Sequence, residues 1–275
     1  MPETPSDALV HDPDGGMPRL LEIMRRLRDP VSGCPWDVEQ TFASIAPYTL
    51  EEAHEVADVI FRAAWEELPG ELGDLLFQVV FHAQMAADAG MFGFDAVVRA
   101  ISDKMISRHP HVFGDESRDK TADQQARDWE RVKAAERGAG RVLDGVALGL
   151  PALTRAVKLQ KRAARVGFDW PSTDEVLAKI VEEVAELVEA RESLSAAEVA
   201  EEFGDLLFVM ANLARHLSID PEAALRAANA KFTRRFQRIE DLLAEVGKTP
   251  DQSDLAEMDA LWNRAKGEEK ARKAG

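Results

Sequence analysis

The chain is written twice. Leu72-Gly73-Asp74-Leu75-Leu76-Phe77 returns as Phe203-Gly204-Asp205-Leu206-Leu207-Phe208, and Glu51-Glu52-Ala53-His54-Glu55 returns as Glu182-Glu183-Val184-Ala185-Glu186, both at an offset of 131 positions. Glu71 and Glu202 obey the same offset, so five acidic positions repeat without a gap. The likeness continues outward with small shifts. Gly33-Cys34-Pro35-Trp36 answers to Gly167-Phe168-Asp169-Trp170, Lys104 and Arg108 to Lys231 and Arg235, and Trp129-x-Arg131-x-Lys133 to Trp262-x-Arg264-x-Lys266. An ordered series of matches is the mark of a tandem duplication, here of a unit of roughly 105 residues. Gly138, Gly140, Gly145, Gly149 and Pro151 cluster where the two copies meet, as expected of a linker. The organisation expected is a disordered tail over 1–16, a first domain over 17–137, a linker over 138–150, a second domain over 151–270 and a short tail over 271–275.

Each copy is expected to be helical. Period-two alternation is missing, β-branched clusters are few, and Ala, Leu, Glu and Arg, good helix formers, dominate. The spacing predicts four helices per copy: Pro18–Arg28, Pro47–Ala64, Pro69–Ala89 and Asp95–Ser107 in the first, and Ala152–Arg165, Thr173–Arg191, Ala196–Leu217 and Pro221–Val246 in the second. Gly90, Asp220-Pro221 and Pro110 supply stops and starts. The fold class is therefore all-α, a tandem repeat of two four-helix-bundle units.

The repeated acids carry the chemistry. Residues three apart on a helix are neighbours, which pairs Glu183 with Glu186 and Glu202 with Asp205, and in the first copy Glu52 with Glu55 and Glu71 with Asp74. A single such pair on an acidic helix is ordinarily a solvated face. Here, however, the stripe of Glu202 and Asp205 runs on into Leu206, Val209 and Leu213, and that of Glu52 and Glu55 into Val56 and Val59. The acids thus face the apolar side, and they do so in both copies. Two like charges 4 Å apart repel by about 4 kcal/mol at an effective dielectric near 20. Four of them together rival a whole domain's stability of about 5–15 kcal/mol unless they take up protons or a cation. Oxygen ligands without His or Cys select a hard ion, Mg²⁺ or alternatively Mn²⁺, and Mg²⁺ commonly shares its shell with phosphates. Glu51 and His54 form an E-x-x-H, but a di-iron site needs two such motifs and Ala185 stands at the second position. His109-Pro110-His111 is expected to be a structural corner, since proline after a helix forces a turn.

Charge and composition bound the partners. The net charge of −16 argues against a nucleic-acid polymer or an anionic membrane, which need a basic surface. A small phosphorylated ligand remains compatible, because a bound dication inverts the local field. Cys34 is the single cysteine, so no disulfide forms within the chain, and a cytoplasmic location is expected. The apolar runs near Leu75–Phe81 and Leu206–Leu213 are too short to span a bilayer.

E-E-x-x-E, then fifteen residues, then E-x-x-D resembles the signature of the all-α NTP pyrophosphatases. Glu182, Glu183, Glu186, Glu202 and Asp205 fill it, as do Glu51, Glu52, Glu55, Glu71 and Asp74. The acidic motif is shared with dimeric dUTPases and phosphoribosyl-ATP pyrophosphohydrolases. The flanking runs Gly33-Cys34-Pro35-Trp36-Asp37, Arg108-His109-Pro110-His111-Val112-Phe113-Gly114-Asp115 and Lys158-Leu159-Gln160-Lys161-Arg162-Ala163-Ala164 are similar to those of the MazG family, over roughly Met17 to Lys266. The resemblance implies a hydrolase that cuts a nucleoside triphosphate into monophosphate and pyrophosphate. On that pattern Glu183, Glu186, Glu202 and Asp205 ligate Mg²⁺, and Glu182 orients or deprotonates the attacking water. Lys179, Asn229, Lys231 and Arg235 serve the phosphates, while Trp262 stacks on the nucleoside with Lys266 beside it. In the first copy Glu52, Glu55, Glu71 and Asp74 form the matching metal set. Tyr48 stands in place of Lys179 and Ser102 in place of Asn229, which makes the second copy the main catalytic one and leaves the first for assembly or regulation. The family resemblance also implies a homodimer, and helices with apolar residues on more than one face agree with one. Two alternatives stay open: a narrower dUTPase-like enzyme, and a non-catalytic nucleotide- and Mg²⁺-binding regulatory module.

Overall fold

The computed structural model describes residues 4–115, 119, 121, 124, 125, 128 and 140–274, and Trp129, Arg131 and Lys133 lie outside them. Among the described residues all regular structure is helical. The chain divides into two compact units, Met1–Glu136 and Arg137–Gly275. No helix among the described residues is long and apolar enough to cross a membrane.

The first unit holds α1 (Pro5–His11), α2 (Gly16–Leu27), α3 (Pro35–Glu39), α4 (Phe42–Arg62), α5 (Leu68–Asp88), α6 (Phe94–Arg108) and α7 (Pro110–Phe113). Helix α1 corrects the expectation of a disordered tail over 1–16. Thr4 and Asp7 close a capping box, and Asp7 pairs with Arg26 of α2 at 2.7 Å. Short polar segments fold when a neighbour supplies counter-charge, and composition alone does not show that neighbour. Helix α4 starts earlier than its proline suggested. Thr41 caps it, accepting from the Ser44 backbone N–H while the Ser44 hydroxyl accepts from the Thr41 N–H, and Pro47 sits inside. Two satisfied donors at the N-terminus offset one bond lost to proline in the second turn.

Helix α5 is the centre of this unit, packed by α2, α4 and α6. Met24, Ile45, Val80, Phe81 and Met85 form its buried core, with Leu20, Leu21, Phe77 and Phe94 against it. Arg28, at the end of α2, pairs with Asp88 at 2.8 Å and lies over the Phe81 ring.

The second unit holds α8 (Ala152–Ala164), α9 (Thr173–Ser193), α10 (Ala196–His216), α11 (Pro221–Ala244), a 3-10 turn (Pro250–Gln252) and α12 (Leu255–Ala274). Helix α12 runs through residues 271–274, expected as a tail. The caps agree with the sequence: Ser172, Ser195 and Asp220 each accept a backbone N–H at the start of α9, α10 and α11. Helices α9 and α10 form a hairpin, α8 lies against α10, and α11 packs on α12 and α8. Gln160 of α8 donates to the Phe208 carbonyl at 2.8 Å. Arg215 and His216 close on Asp169 at the Gly-Phe-Asp-Trp corner. Residues 140–151 contain turns and no helix, and Arg162 of α8 donates to the carbonyls of Asp144 and Gly145.

Phe81→Ala removes the largest buried side chain of the first core. It is expected to lower the unfolding free energy by about 3–5 kcal/mol, measured by urea denaturation.

Candidate active site

Both acid sets sit on a two-helix hairpin. In the second unit α9 presents Glu183 and Glu186 one turn apart, and α10 brings Glu202 opposite them. One carboxylate oxygen from each of the three lies within 4.8 Å of the others. Glu183 is buried at 5% exposure, Glu202 is half-buried and Glu186 is exposed. Asp205 stands one turn further along α10, exposed and outside the close trio. Its charge still reaches the trio. Desolvation, then the charges of Glu186, Asp205 and Glu183, push the Glu202 carboxyl above its ordinary value, as crowding of like charges must.

Lys179 answers this charge. It lies one turn before the ligand pair, and its Nζ is 2.7 Å from Glu182, 2.8 Å from Glu183 and 3.8 Å from Glu186. The bonds to Glu182 and then Glu183 hold the ammonium well above the usual lysine range. The sequence suggests a phosphate ligand at Lys179; in this structure its ammonium lies on the acids. The i,i+4 spacing to Glu183 was the signal available.

The first unit repeats the trio without the cation. Glu52 and Glu55 of α4 and Glu71 of α5 bring carboxylate oxygens within 4.8 Å of one another, with Asp74 exposed and one turn along α5. Desolvation, then Asp74, then Glu55 raise the Glu52 carboxyl, which also shares a hydrogen bond with Glu55. Desolvation, followed by Glu55 and Asp74, raises Glu71. Tyr48, at the Lys179 position, is turned edge-on to Trp36 with ring centres 6.2 Å apart. One cluster thus has an internal ammonium, and the other has none among the described residues.

The other residues expected to meet substrate lie on α11 and α12 of the second unit. Arg235 of α11 pairs with Glu269 of α12 at 2.9 Å, and its guanidinium lies 5.3 Å from the Trp262 ring centre, at cation–π distance. Phe232 stands 5.5 Å from Trp262 and stacks with Phe236. Asn229, Lys231 and Lys266 are exposed on the same two helices. Among the described residues Lys231 and Lys266 hold no ion pair, and neither they nor Arg235 pair with the acid trio. Phe232, Phe236 and Glu269 join this group in the structure without being marked by the repeat. The i,i+4 aromatic pair beside Lys231 was the legible sign of the first two.

Two helical hairpins, each bringing three carboxylates together within an all-α tandem repeat, define the class of fold. The MazG nucleotide pyrophosphohydrolase domain matches the chain twice, at residues 40–113 and 172–239. A nucleoside triphosphate pyrophosphohydrolase of Escherichia coli K12 is 52% identical over 256 residues, covering 91% of this chain and 97% of the relative. The nucleoside triphosphate pyrophosphohydrolase/pyrophosphatase MazG of Thermotoga maritima is 42% identical over 251 residues, covering 90% and 94%. A nucleoside triphosphate pyrophosphohydrolase of Mycobacterium tuberculosis is 37% identical over 152 residues, covering 54% and 46%. The chain belongs to the MazG family and is an enzyme of that class.

Glu52 titrates higher in the folded chain than in the unfolded one. Its contribution to stability is therefore present at low pH and lost as pH rises through the folded value. Glu52→Gln is expected to raise the thermal midpoint of metal-free protein at pH 7 and to change it little at pH 4, checked by calorimetry with chelator present.

Proposed function

We propose that the chain hydrolyses nucleoside triphosphates, ribo- and deoxyribo-, canonical and aberrant, to nucleoside monophosphate and pyrophosphate, with Mg²⁺ held by the acid cluster of the second unit. The observation that carries this reading is the trio Glu183, Glu186 and Glu202, three carboxylate oxygens within 4.8 Å. Such a donor set, all oxygen, suits a hard dication, and its mutual repulsion supplies the reason to bind one. Asp205 completes the set from the next turn of α10. Mn²⁺ suits the same ligands. When bound, the metal would polarise phosphoryl oxygens and neutralise charge developing on them.

The chain's own residues do the rest. Glu182 is exposed beside the trio and is placed to orient a water and accept its proton. That water attacks the α-phosphorus, the α–β anhydride bond breaks, and pyrophosphate leaves with the electron pair. Lys179, Asn229, Lys231 and Arg235 hold the phosphates, the two cations on α11 presenting a single face. Trp262 stacks on the nucleoside, with Lys266 at its edge.

A homodimer is part of this reading. Leu177, Val181, Val184 and Val188 of α9, with Phe203, Leu207 and Met210 of α10, are each more than 40% exposed. Their spacing of four, three and four residues is that of a helix-packing stripe. A second copy covering it makes the two subunits share each site's surroundings. Val181→Glu with Val184→Glu is expected to yield monomer by sedimentation, whereas the unaltered chain sediments as a dimer.

Product analysis tests the chemistry. Pyrophosphate and monophosphate are expected from several nucleoside triphosphates with Mg²⁺; inorganic phosphate and diphosphate would overturn the reading. Preference for one nucleotide over all others would favour a narrower dUTPase-like enzyme, and metal binding without turnover a regulatory module. Glu183→Ala is expected to lower kcat by about 10²–10³-fold or more, while Glu52→Ala leaves much of the activity, because the first cluster lacks the Lys179 equivalent.

A further inference from the structure

We propose that Lys179 is the resting counterion of the second acid cluster and yields that place to an incoming divalent cation, so that metal entry itself releases the ammonium for the phosphates. The inference rests on the metal-site reading above and adds to it a competition between two cations. Its basis is geometric. The Glu183 side chain is 6% exposed and its Oε1 lies 2.8 Å from the Lys179 Nζ, and Glu183 is also a member of the trio whose oxygens converge. A buried carboxylate needs a partner of opposite charge, and in this arrangement the partner is the lysine. A dication taken up by Glu183, Glu186 and Glu202 would meet the ammonium on the Glu183 carboxylate. Two like-charged cations do not share that group without repulsion.

Lys179 can give way. Its four-carbon stem is flexible, its side chain is 28% exposed, and Glu182, 58% exposed, offers a second partner on the solvent side at 2.7 Å. Moving from Glu183 to Glu182 or to a phosphate oxygen needs only side-chain rotation. The first unit is an internal control. Tyr48 occupies the equivalent place, facing Trp36, and no ion pair to Glu52, Glu55 or Glu71 exists among the described residues. The duplicated clusters thus share their acids and differ in the cation that balances them. In this arrangement the second cluster binds metal more weakly than its acids alone would, and a substrate that brings its own phosphates relieves the competition by receiving the displaced ammonium.

The test is Mg²⁺ calorimetry without nucleotide on the full chain, in a Glu52→Gln, Glu71→Gln background that silences the first cluster. Lys179→Gln is expected to bind Mg²⁺ about 5-fold tighter, the worth of one partly exposed ion pair, and Lys179→Arg to stay near the parent. Equal or weaker binding by Lys179→Gln, with the parent binding normally, overturns the counterion role and leaves the metal site standing. No binding by the parent, with or without nucleotide, overturns the metal site itself. The reciprocal change, Tyr48→Lys in a Glu183→Gln, Glu202→Gln background, guards against misfolding of the Lys179 variants. It is expected to weaken Mg²⁺ binding at the first cluster by a similar factor, and unchanged affinity there overturns the proposal.

Discussion

Carboxylates held closer together than they would choose are the constraint around which both units are organised. Helical periodicity puts Glu183 beside Glu186, the α9–α10 hairpin puts Glu202 against them, and the apolar stripe through Leu206 and Val209 keeps the hairpin shut. Val209 is buried, and its burial holds α10 at the rotation that aims Glu202 inward. The packing energy of the hairpin thus opposes the repulsion of its acids. A protein in that state gains from anything positive that enters, whether a proton, an ammonium or a metal ion.

The duplication lets one scaffold adopt two answers to the same problem. In the second unit Lys179 stands within ion-pairing distance of Glu182, Glu183 and Glu186. In the first, Tyr48 turns to Trp36 and the carboxyls of Glu52 and Glu71 rise above their ordinary values. At that position a lysine gives one cluster an ammonium of its own, and a tyrosine gives the other none. The two copies thus diverge at that position while all five acids are retained.

The α11–α12 pair is a separate module on the same unit. Arg235 is clamped by Glu269 and Trp262, and Phe232 and Phe236 extend the aromatic surface. A planar guanidinium against an indole makes a rigid flat surface. The exposed stripe along α9 and α10 lies on the same elements as the acids, so whatever covers that stripe also sets the water content of the site.

Much was legible in the sequence. The repeat, the all-α class, the helix starts at Thr173, Ala196 and Pro221 and the pairing of acids three apart on one helix all follow from local rules, since helical register relates neighbours three and four residues apart wherever the helix lies in space. The errors fell where a distant partner decides. Helix α1 is tied to α2 by the Asp7–Arg26 pair; the early start of α4, by contrast, is set locally by the Thr41–Ser44 capping box, which outweighs Pro47. The turn of Lys179 onto Glu182 and Glu183 is local to α9, but the approach of Glu202 to the α9 acids, the burial of Glu183 but not Glu186, and the clasp of Arg235 by Glu269 belong to tertiary structure alone. Each depends on which side chain from another turn or helix reaches the same few ångströms, and spacing along a chain carries no information about that competition.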